Sequence, residues 1–122
     1  MRYFRKLVGT KCFLTPVNVD DAETYTAWLN DLEVTRTLGL AGSPISLGYE
    51  RQILEKVAQE HVYGIVDLET ELLIGNVGLH NIDHLHRTCI IGILIGNKEY
   101  WGKGYGPEAM RRAASFCTVK TI

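Results

Sequence analysis

Apolar residues repeat at helical spacing in the first half of the chain, after a β-rich run over residues 11–17 that is ended by Pro16. Asp20 or Asp21 can cap the first helix. The apolar face of this helix consists of Ala22, Tyr25, Leu29 and Leu32. We expect that face to be buried against the rest of the fold.

A second group of helical signals follows. A short helix is predicted over residues 33–38, and the glycine- and proline-containing stretch 39–44 is predicted to be a loop. Ser46 is the predicted N-cap of the next helix, although Gly48 lowers the helix propensity of its first turn. Charged residues alternate in that segment with Leu47, Glu50, Leu54, Val57 and Ala58.

The pattern becomes extended after His61. Strands are predicted over residues 62–66, 72–80 and 89–95, and the polar connectors between them have hairpin length, so we expect an antiparallel meander. The last strand is apolar at successive positions, which is typical of a strand buried on both faces. We therefore predict that it forms the centre of the sheet.

Length and charge limit the classes of function. The 122 residues fit one domain, spanning residues 1–122. Thirteen Lys and Arg stand against fourteen Asp and Glu, which leaves no excess of positive charge for a nucleic acid. No apolar run approaches the roughly 20 residues that span a bilayer, and the N-terminal residues lack a signal-peptide core. These features predict a cytoplasmic protein with neither nucleic-acid nor membrane partners.

The segment after the last predicted strand has the composition of a phosphate-binding turn. Its glycines can take positive φ and let an anion approach the backbone: Gly102, Gly104 and Gly106. With Gly106 as N-cap and Pro107 at the first helical position, the positive end of a helix dipole faces this turn. Lys103 adds a cation, so the segment predicts a phosphate site.

Two common phosphate-binding motifs do not fit this segment. A P-loop requires Ser or Thr after Gly-Lys, and here Gly102-Lys103 is followed by Gly104. A dinucleotide-binding fold requires Gly-x-Gly-x-x-Gly in a parallel unit, whereas these glycines have a different spacing and follow a meander. The P-loop is therefore excluded, and the dinucleotide-binding motif fits poorly.

Residues 100–109, Tyr-Trp-Gly-Lys-Gly-Tyr-Gly-Pro-Glu-Ala, resemble the pyrophosphate loop of the GNAT acetyltransferases. The similarity is to the branch that includes the ribosomal-protein N-terminal acetyltransferases of the RimJ and RimL type. It extends upstream through residues 75–83 and 91–96, and also through residues 20–22 and 28–35. The resemblance therefore covers nearly the whole chain.

This resemblance implies an α+β fold with a mixed, mostly antiparallel sheet and flanking helices. It also implies transfer of an acetyl group from acetyl-CoA to a primary amine, either a protein N-terminus or a small molecule, by direct attack on the thioester. The implied acetyl-CoA contacts are Ile93, Leu94, Ile95, Trp101, Gly102, Lys103, Gly104, Tyr105 and Gly106. A backbone N–H of the Ile93 to Ile95 strand would stabilise the oxyanion.

The chain departs from the family pattern in the glycine-rich loop and at a position that matters for catalysis. Trp101 stands where Arg or Gln is usual, and Pro107 replaces a Ser or Thr. Many relatives carry a Glu as base where this chain has Ile90, so that base is not transferred to this sequence. The remaining acid and base candidates are His80, Asp83, Glu99 and Tyr100.

Four residues in the second half of the chain are of types that bind metal ions and lie close together in the sequence: His80, Asp83, His84 and His86. This spacing falls across a strand end and a turn, where the side chains need not converge on one ion. We therefore expect no metal.

The C-terminal segment departs most from the family. A helix is predicted over residues 107–116, whereas relatives continue after it with another strand, a helix and a final pair of strands. Residues 118–122 are then the stub of that next strand, or a partner chain supplies the missing wall, or the protein is an incomplete remnant. The resemblance therefore implies a domain incomplete at its C-terminus. The alternative function is a catalytically impaired remnant, or a CoA-binding module that needs a partner chain. An exposed sheet edge also favours a homodimer.

Overall fold

The computed structural model describes residues 3–36, 44–83 and 85–119, with side chains described as far as residue 115. Its strands and helices run in the order β1 (Leu7–Val8), β2 (Cys12–Pro16), α1 (Ala22–Leu29), α2 (Leu32–Thr35), α3 (Leu47–Val57), β3 (Val62–Asp67), β4 (Leu73–Asp83), β5 (Thr88–Ile95) and α4 (Tyr105–Val119). Short 3₁₀ turns at Val19–Asp21 and Lys98–Tyr100 lead towards α1 and α4.

The strands form one antiparallel sheet in the order β1-β2-β3-β4-β5. This confirms the meander predicted for β3 to β5. The prediction that the last strand is central is wrong, because among the described strands β5 pairs with β4 alone and lies at the edge. Apolar residues occupy both faces of β5, and Ile90 on one of them is 58% exposed. A continuous apolar run therefore did not require burial on both faces.

Helices cover both faces of the sheet. On one face α4 packs Ala109 and Ala113 against Leu14, Ile65 and Val77, and all five residues are buried. On the other face α1 and α3 contribute a second cluster built on Ala22, Tyr25 and Leu54. Since burial of apolar area is the main favourable term in folding, these two clusters hold the sheet between its helices.

Polar caps decide where the first helices begin and end. Asp21 occupies the N-cap position of α1, as predicted, but its side chain makes no capping hydrogen bond there. A 3₁₀ turn precedes the helix, and Asn18 caps that turn by accepting from the Asp20 amide at 2.9 Å. Leu32 is 64% exposed rather than buried. Asp31 caps a new helix at this point by accepting from the Glu33 amide at 2.9 Å.

The predicted cap at Ser46 is confirmed, since its Oγ accepts from the Tyr49 amide at 3.1 Å. The short helix predicted over residues 33–38 is found at Leu32–Thr35. Residues 37–43, which include most of the predicted loop, lie outside the described residues.

The last helix begins earlier and ends later than the sequence predicts. It starts at Tyr105 rather than Pro107, and its backbone continues to Val119. The alternative that residues 118–122 form the stub of a strand is therefore wrong for residues 118–119, and residues 120–122 lie outside the described part. Within the described part of the chain, no helix is both long enough and apolar enough to cross a bilayer.

Candidate active site

The glycine-rich turn leads from β5 into α4 with two residues in the left-handed region. Gly102 has φ +73° and Gly104 has φ +88°, in agreement with the prediction. Gly106 lies inside the helix, so the prediction that it has positive φ and caps the helix is wrong. Gly104 precedes the helix instead, and its carbonyl accepts from the Glu108 amide at 3.2 Å.

This turn presents backbone donors to solvent. Among the described residues, no group accepts a hydrogen bond from the amides of Gly102, Lys103 or Gly104. The first helical amides, at Tyr105 and Gly106, have no intrahelical partner either. Unpaired amides at the positive end of a helix are the usual protein partners of a phosphate group. The residues therefore fit the pyrophosphate of acetyl-CoA.

The side chain of Lys11 adds a cation that the sequence analysis missed. Its Cε lies 3.4 Å from the point that a Cβ at Gly104 would occupy, and its Nζ lies 5.7 Å from the centroid of the Tyr105 ring. Lys103 on the turn itself is exposed. Lys11 is brought to this site by the β1–β2 hairpin, so its place in the sequence gives no signal of the role.

Two carboxylates fix the start of α4 on the sheet. Tyr105 donates its hydroxyl hydrogen to Asp67 at 2.8 Å, and this bond raises the pKa of Tyr105 to about 12. Glu108 is buried and accepts from Thr10 Oγ1 at 2.6 Å and from the Lys11 amide at 2.8 Å. The loop amides are therefore held on a rigid support.

The outer edge of β5 carries backbone groups that pair with no other described strand. The Gly96 amide donates to the Ile74 carbonyl at 2.9 Å, and Gly75 lies opposite Ile95 in the register. In an antiparallel ladder this makes Gly75 and Ile95 a non-hydrogen-bonded pair. The N–H and C=O groups of Ile93 and Ile95 therefore point away from β4, whereas those of Leu94 point towards it. This edge fits an extended, amide-containing ligand such as pantetheine.

A groove of about 430 Å³ runs along this edge. It is lined by Glu33, Val34, Arg36, Ile93, Leu94, Ile95 and Trp101. Trp101 donates its indole Nε1–H to the Ile95 carbonyl at 2.7 Å. Trp101 therefore contacts the strand edge with its side chain, in addition to lying on the glycine-rich turn.

A second cavity, of about 280 Å³, lies on the face of the sheet covered by α1 and α3. Its polar lining consists of Tyr25, Glu50, Asn76 and His80. Ile93 and Leu94 line both this cavity and the groove at the edge. The same stretch of β5 therefore adjoins both spaces, which is the arrangement that a reaction between two bound molecules requires.

His80 lies at this cavity with its ring over two glycines. A Cβ at Gly78 would lie 2.8 Å from His80 Nε2, and a Cβ at Gly92 would lie 3.6 Å from it. His80 is opposite Ile90 in the register of β4 and β5, so both side chains lie on one face of the sheet. An imidazole thus stands beside the position where many relatives have a Glu.

The other acid and base candidates do not line this cavity. Asp83 accepts from the Leu85 amide at 3.0 Å and contacts His86 Nδ1 at 2.9 Å within the turn after β4. Tyr100 lies on the opposite face, where its hydroxyl donates to Asp67 at 3.3 Å. Glu99 is exposed in its 3₁₀ turn. Of the four candidates, the structure brings only His80 to the cavity.

The metal hypothesis gains no geometric support. His84 lies outside the described residues, and the part of the chain that the structure describes contains no cluster of three or more His, Cys, Asp or Glu side chains suited to a metal ion. His86 instead contacts Asp83.

Glu50 is the polar residue of the cavity that the sequence analysis missed. It is 4% exposed, and none of the described residues forms a hydrogen bond with its carboxylate. Burial raises the pKa of Glu50. The signal was a charged residue in line with Leu47, Leu54 and Val57, which is where an amphipathic helix usually buries an apolar side chain.

The amino-acid sequence is similar to those of known N-acetyltransferases. The family model described as "Acetyltransferase (GNAT) domain" matches residues 11–121. The uncharacterized N-acetyltransferase YoaA of Bacillus subtilis is 29% identical over 93% of this chain and 66% of its own length. The uncharacterized N-acetyltransferase p20 of Bacillus licheniformis is 24% identical over 84% of this chain. The chain spans 60% of the length of p20 and 66% of the length of YoaA, which is less than two thirds of each relative.

The fold is also similar to that of a solved structure, spermidine N-acetyltransferase from Vibrio cholerae in complex with CoA and spermine. The TM-score is 0.73 at 21% identity, and the alignment covers 91% of this chain and 66% of the other. At this identity the similarity concerns the arrangement of strands and helices.

Proposed function

The chain belongs to the GNAT acetyltransferase family and has its α+β fold, and from this premise we propose that it transfers the acetyl group of acetyl-CoA to a primary amine. The observation that carries the proposal is the continuous ligand surface formed by the outer edge of β5 and the glycine-rich turn. At one end Ile93 offers its N–H and C=O and Ile95 its N–H, since the Ile95 carbonyl accepts from Trp101. At the other end lie the amides from Gly102 to Gly106, which are unpaired among the described residues.

The proposed chemistry divides between the two spaces beside β5. Acetyl-CoA supplies a thioester whose carbonyl carbon is open to attack by a neutral amine. The outward N–H of Ile93 is suited to donate to the oxyanion, because it lies where the edge groove and the cavity meet. His80, on the cavity side, is suited to accept the proton that the amine loses.

The acceptor is an amine of a class that we leave open between a protein N-terminus and a small molecule. The sequence of residues 100–109 supports the RimJ and RimL branch, whereas the similarity to a spermidine N-acetyltransferase supports a small aliphatic amine. Both fit a cavity that combines apolar walls with a few polar groups.

Calorimetric titration with acetyl-CoA and with free CoA tests the cofactor half of this proposal. We expect both to bind in the micromolar range, about −8 kcal/mol, because the donors of the turn recognise the part common to both. Absence of binding at millimolar ligand would contradict the proposal. It would favour the alternative of a catalytically impaired chain, or of one that binds CoA only with a partner.

The role of His80 leads to a separate prediction. In an assay of CoA release with acetyl-CoA and a panel of primary amines, His80→Gln is expected to lower kcat about tenfold. The loss is modest because His80 is exposed and water can accept the proton in its place. The affinity for acetyl-CoA should not change.

His61→Gln provides the matched control, since His61 is also exposed and its backbone carbonyl makes its only described hydrogen bond, with the Leu79 amide. An unchanged kcat in His80→Gln would remove His80 from the mechanism. An equal loss in both variants would show that neither imidazole acts on the proton specifically.

A further inference from the structure

The cavity under α1 and α3 contains a carboxylate that has no partner among the described residues. Glu50 is 4% exposed, and no hydrogen bond or ion pair joins it to the described residues. Burying a charged group without a partner costs several kcal/mol, so such a group in a protein either becomes neutral or faces a counter-ion, a metal or a ligand. Because the group lines a cavity, the space beside it is the place for that counterpart.

The rest of the lining defines the chemistry of a fitting ligand. Leu29, Ile53, Leu54 and Val57 form apolar walls. Tyr25 is buried, and its side chain lines the cavity together with that of Asn76. A cationic head at Glu50 with an aliphatic tail along the walls would satisfy both parts of the lining.

The charges around the cavity favour a cation rather than an anion. Among the described residues that line it there is neither Lys nor Arg, and Glu50 is the only carboxylate. Since a water molecule takes ~30 Å³ in the liquid, the volume of about 280 Å³ admits a ligand of several non-hydrogen atoms.

We propose that this cavity binds a protonated aliphatic amine through the carboxylate of Glu50, and that Glu50 thereby selects cationic acceptors. The selection step rests on the proposed function, because it takes the bound cation to be the acceptor or a part of it. A nitrogen that is protonated when bound must first lose its proton, to His80 or to water, before it attacks the thioester. Binding of the cation itself requires neither acetyl-CoA nor turnover.

The test compares a cation with a neutral molecule of the same shape. The protein is titrated, without acetyl-CoA and at constant ionic strength, with n-butylammonium chloride and with n-butanol, and binding is followed by amide chemical shifts. We expect n-butylammonium to bind at least tenfold more tightly than n-butanol, with shifts at the amides of Asn76 and Gly78. Equal affinities of the two compounds in the unmodified protein would overturn the proposal without any variant.

Variants then assign the effect to one carboxylate. Glu50→Gln keeps the size of the side chain and should reduce n-butylammonium binding at least tenfold, so that the amine and the alcohol bind alike. Glu55→Gln removes an exposed carboxylate from the same helix and should leave binding unchanged. Equal loss in both variants, or no loss in Glu50→Gln, would contradict the assignment.

The acetyl-CoA titration separates failure of this proposal from failure of the proposed function. If acetyl-CoA binds but n-butylammonium does not, only the role of Glu50 is wrong. If n-butylammonium binds in the Glu50-dependent manner but acetyl-CoA does not, the cation site stands and the acetyltransferase activity is contradicted.

Discussion

Acetyl-CoA is expected to bind at least ~100-fold more weakly to the Gly104→Asp variant than to the unmodified chain. Gly104 has φ +88°, a conformation that costs an L residue roughly 1–2 kcal/mol. A Cβ at this position would lie 3.4 Å from the Cε of Lys11. The new carboxylate would repel the pyrophosphate and would also pair with Lys11, which removes a cation from the site.

Titration calorimetry of Gly104→Asp, Gly104→Ala and Gly48→Asp measures these contributions separately. Gly104→Ala adds the Cβ without the charge, so its loss should be intermediate. Gly48→Asp makes the same chemical change in the first turn of α3, where a Cβ would have no neighbour within 4 Å. It should bind acetyl-CoA normally. Full affinity in Gly104→Asp would show that the glycine-rich turn does not hold the pyrophosphate.

The elements that were predicted correctly are those that local chemistry decides. Ser46 caps α3 because a hydroxyl before a helix satisfies an amide of its first turn, whatever the rest of the fold does. The hairpin-length connectors required β3, β4 and β5 to be antiparallel.

The position of β5 in the sheet could not be obtained in this way. Its apolar run is compatible with an edge or with the centre, since the choice depends on which chain segments pair with it. The prediction that Leu32 is buried was wrong for a related reason. The first helix ends before Asp31 and a second begins after it, so Leu32 does not share a face with the apolar residues of α1.

The part of the candidate site that lies in one contiguous segment was predictable from the sequence. The part that combines residues from distant segments was not. The positive φ of Gly102 and Gly104 follows from a run of glycines in one turn. Lys11 and Glu50 reach the two ligand spaces from distant segments, through the β1–β2 hairpin and through α3. No spacing rule relates such residues to the turn, so only the packed structure identifies them.

Glu108→Gln is expected to lower the free energy of unfolding by about 3 kcal/mol at pH 7. Although burial alone would raise its pKa, hydrogen bonds from Thr10, Lys11 and Cys12 lower the pKa of Glu108 to about 2. A glutamine directs an amide group at one of these donors, so the variant loses at least one charge-assisted bond at a buried position.

The pH dependence identifies the carboxylate as the cause. Because the pKa of Glu108 is lower in the folded state than in the unfolded chain, its carboxylate stabilises the fold at pH values above the unfolded pKa of 4.5. This stabilisation is lost as the pH falls through the folded pKa of about 2. Urea unfolding should therefore show the full difference between the unmodified chain and Glu108→Gln at pH 7, and about half of it at pH 3.

Glu55→Gln, at an exposed site, should show no difference at either pH. A difference for Glu108→Gln that stays constant from pH 7 to pH 3 would attribute the loss to packing rather than to charge. Since Glu108 holds the start of α4, and with it the loop amides, the same variant should also weaken acetyl-CoA binding.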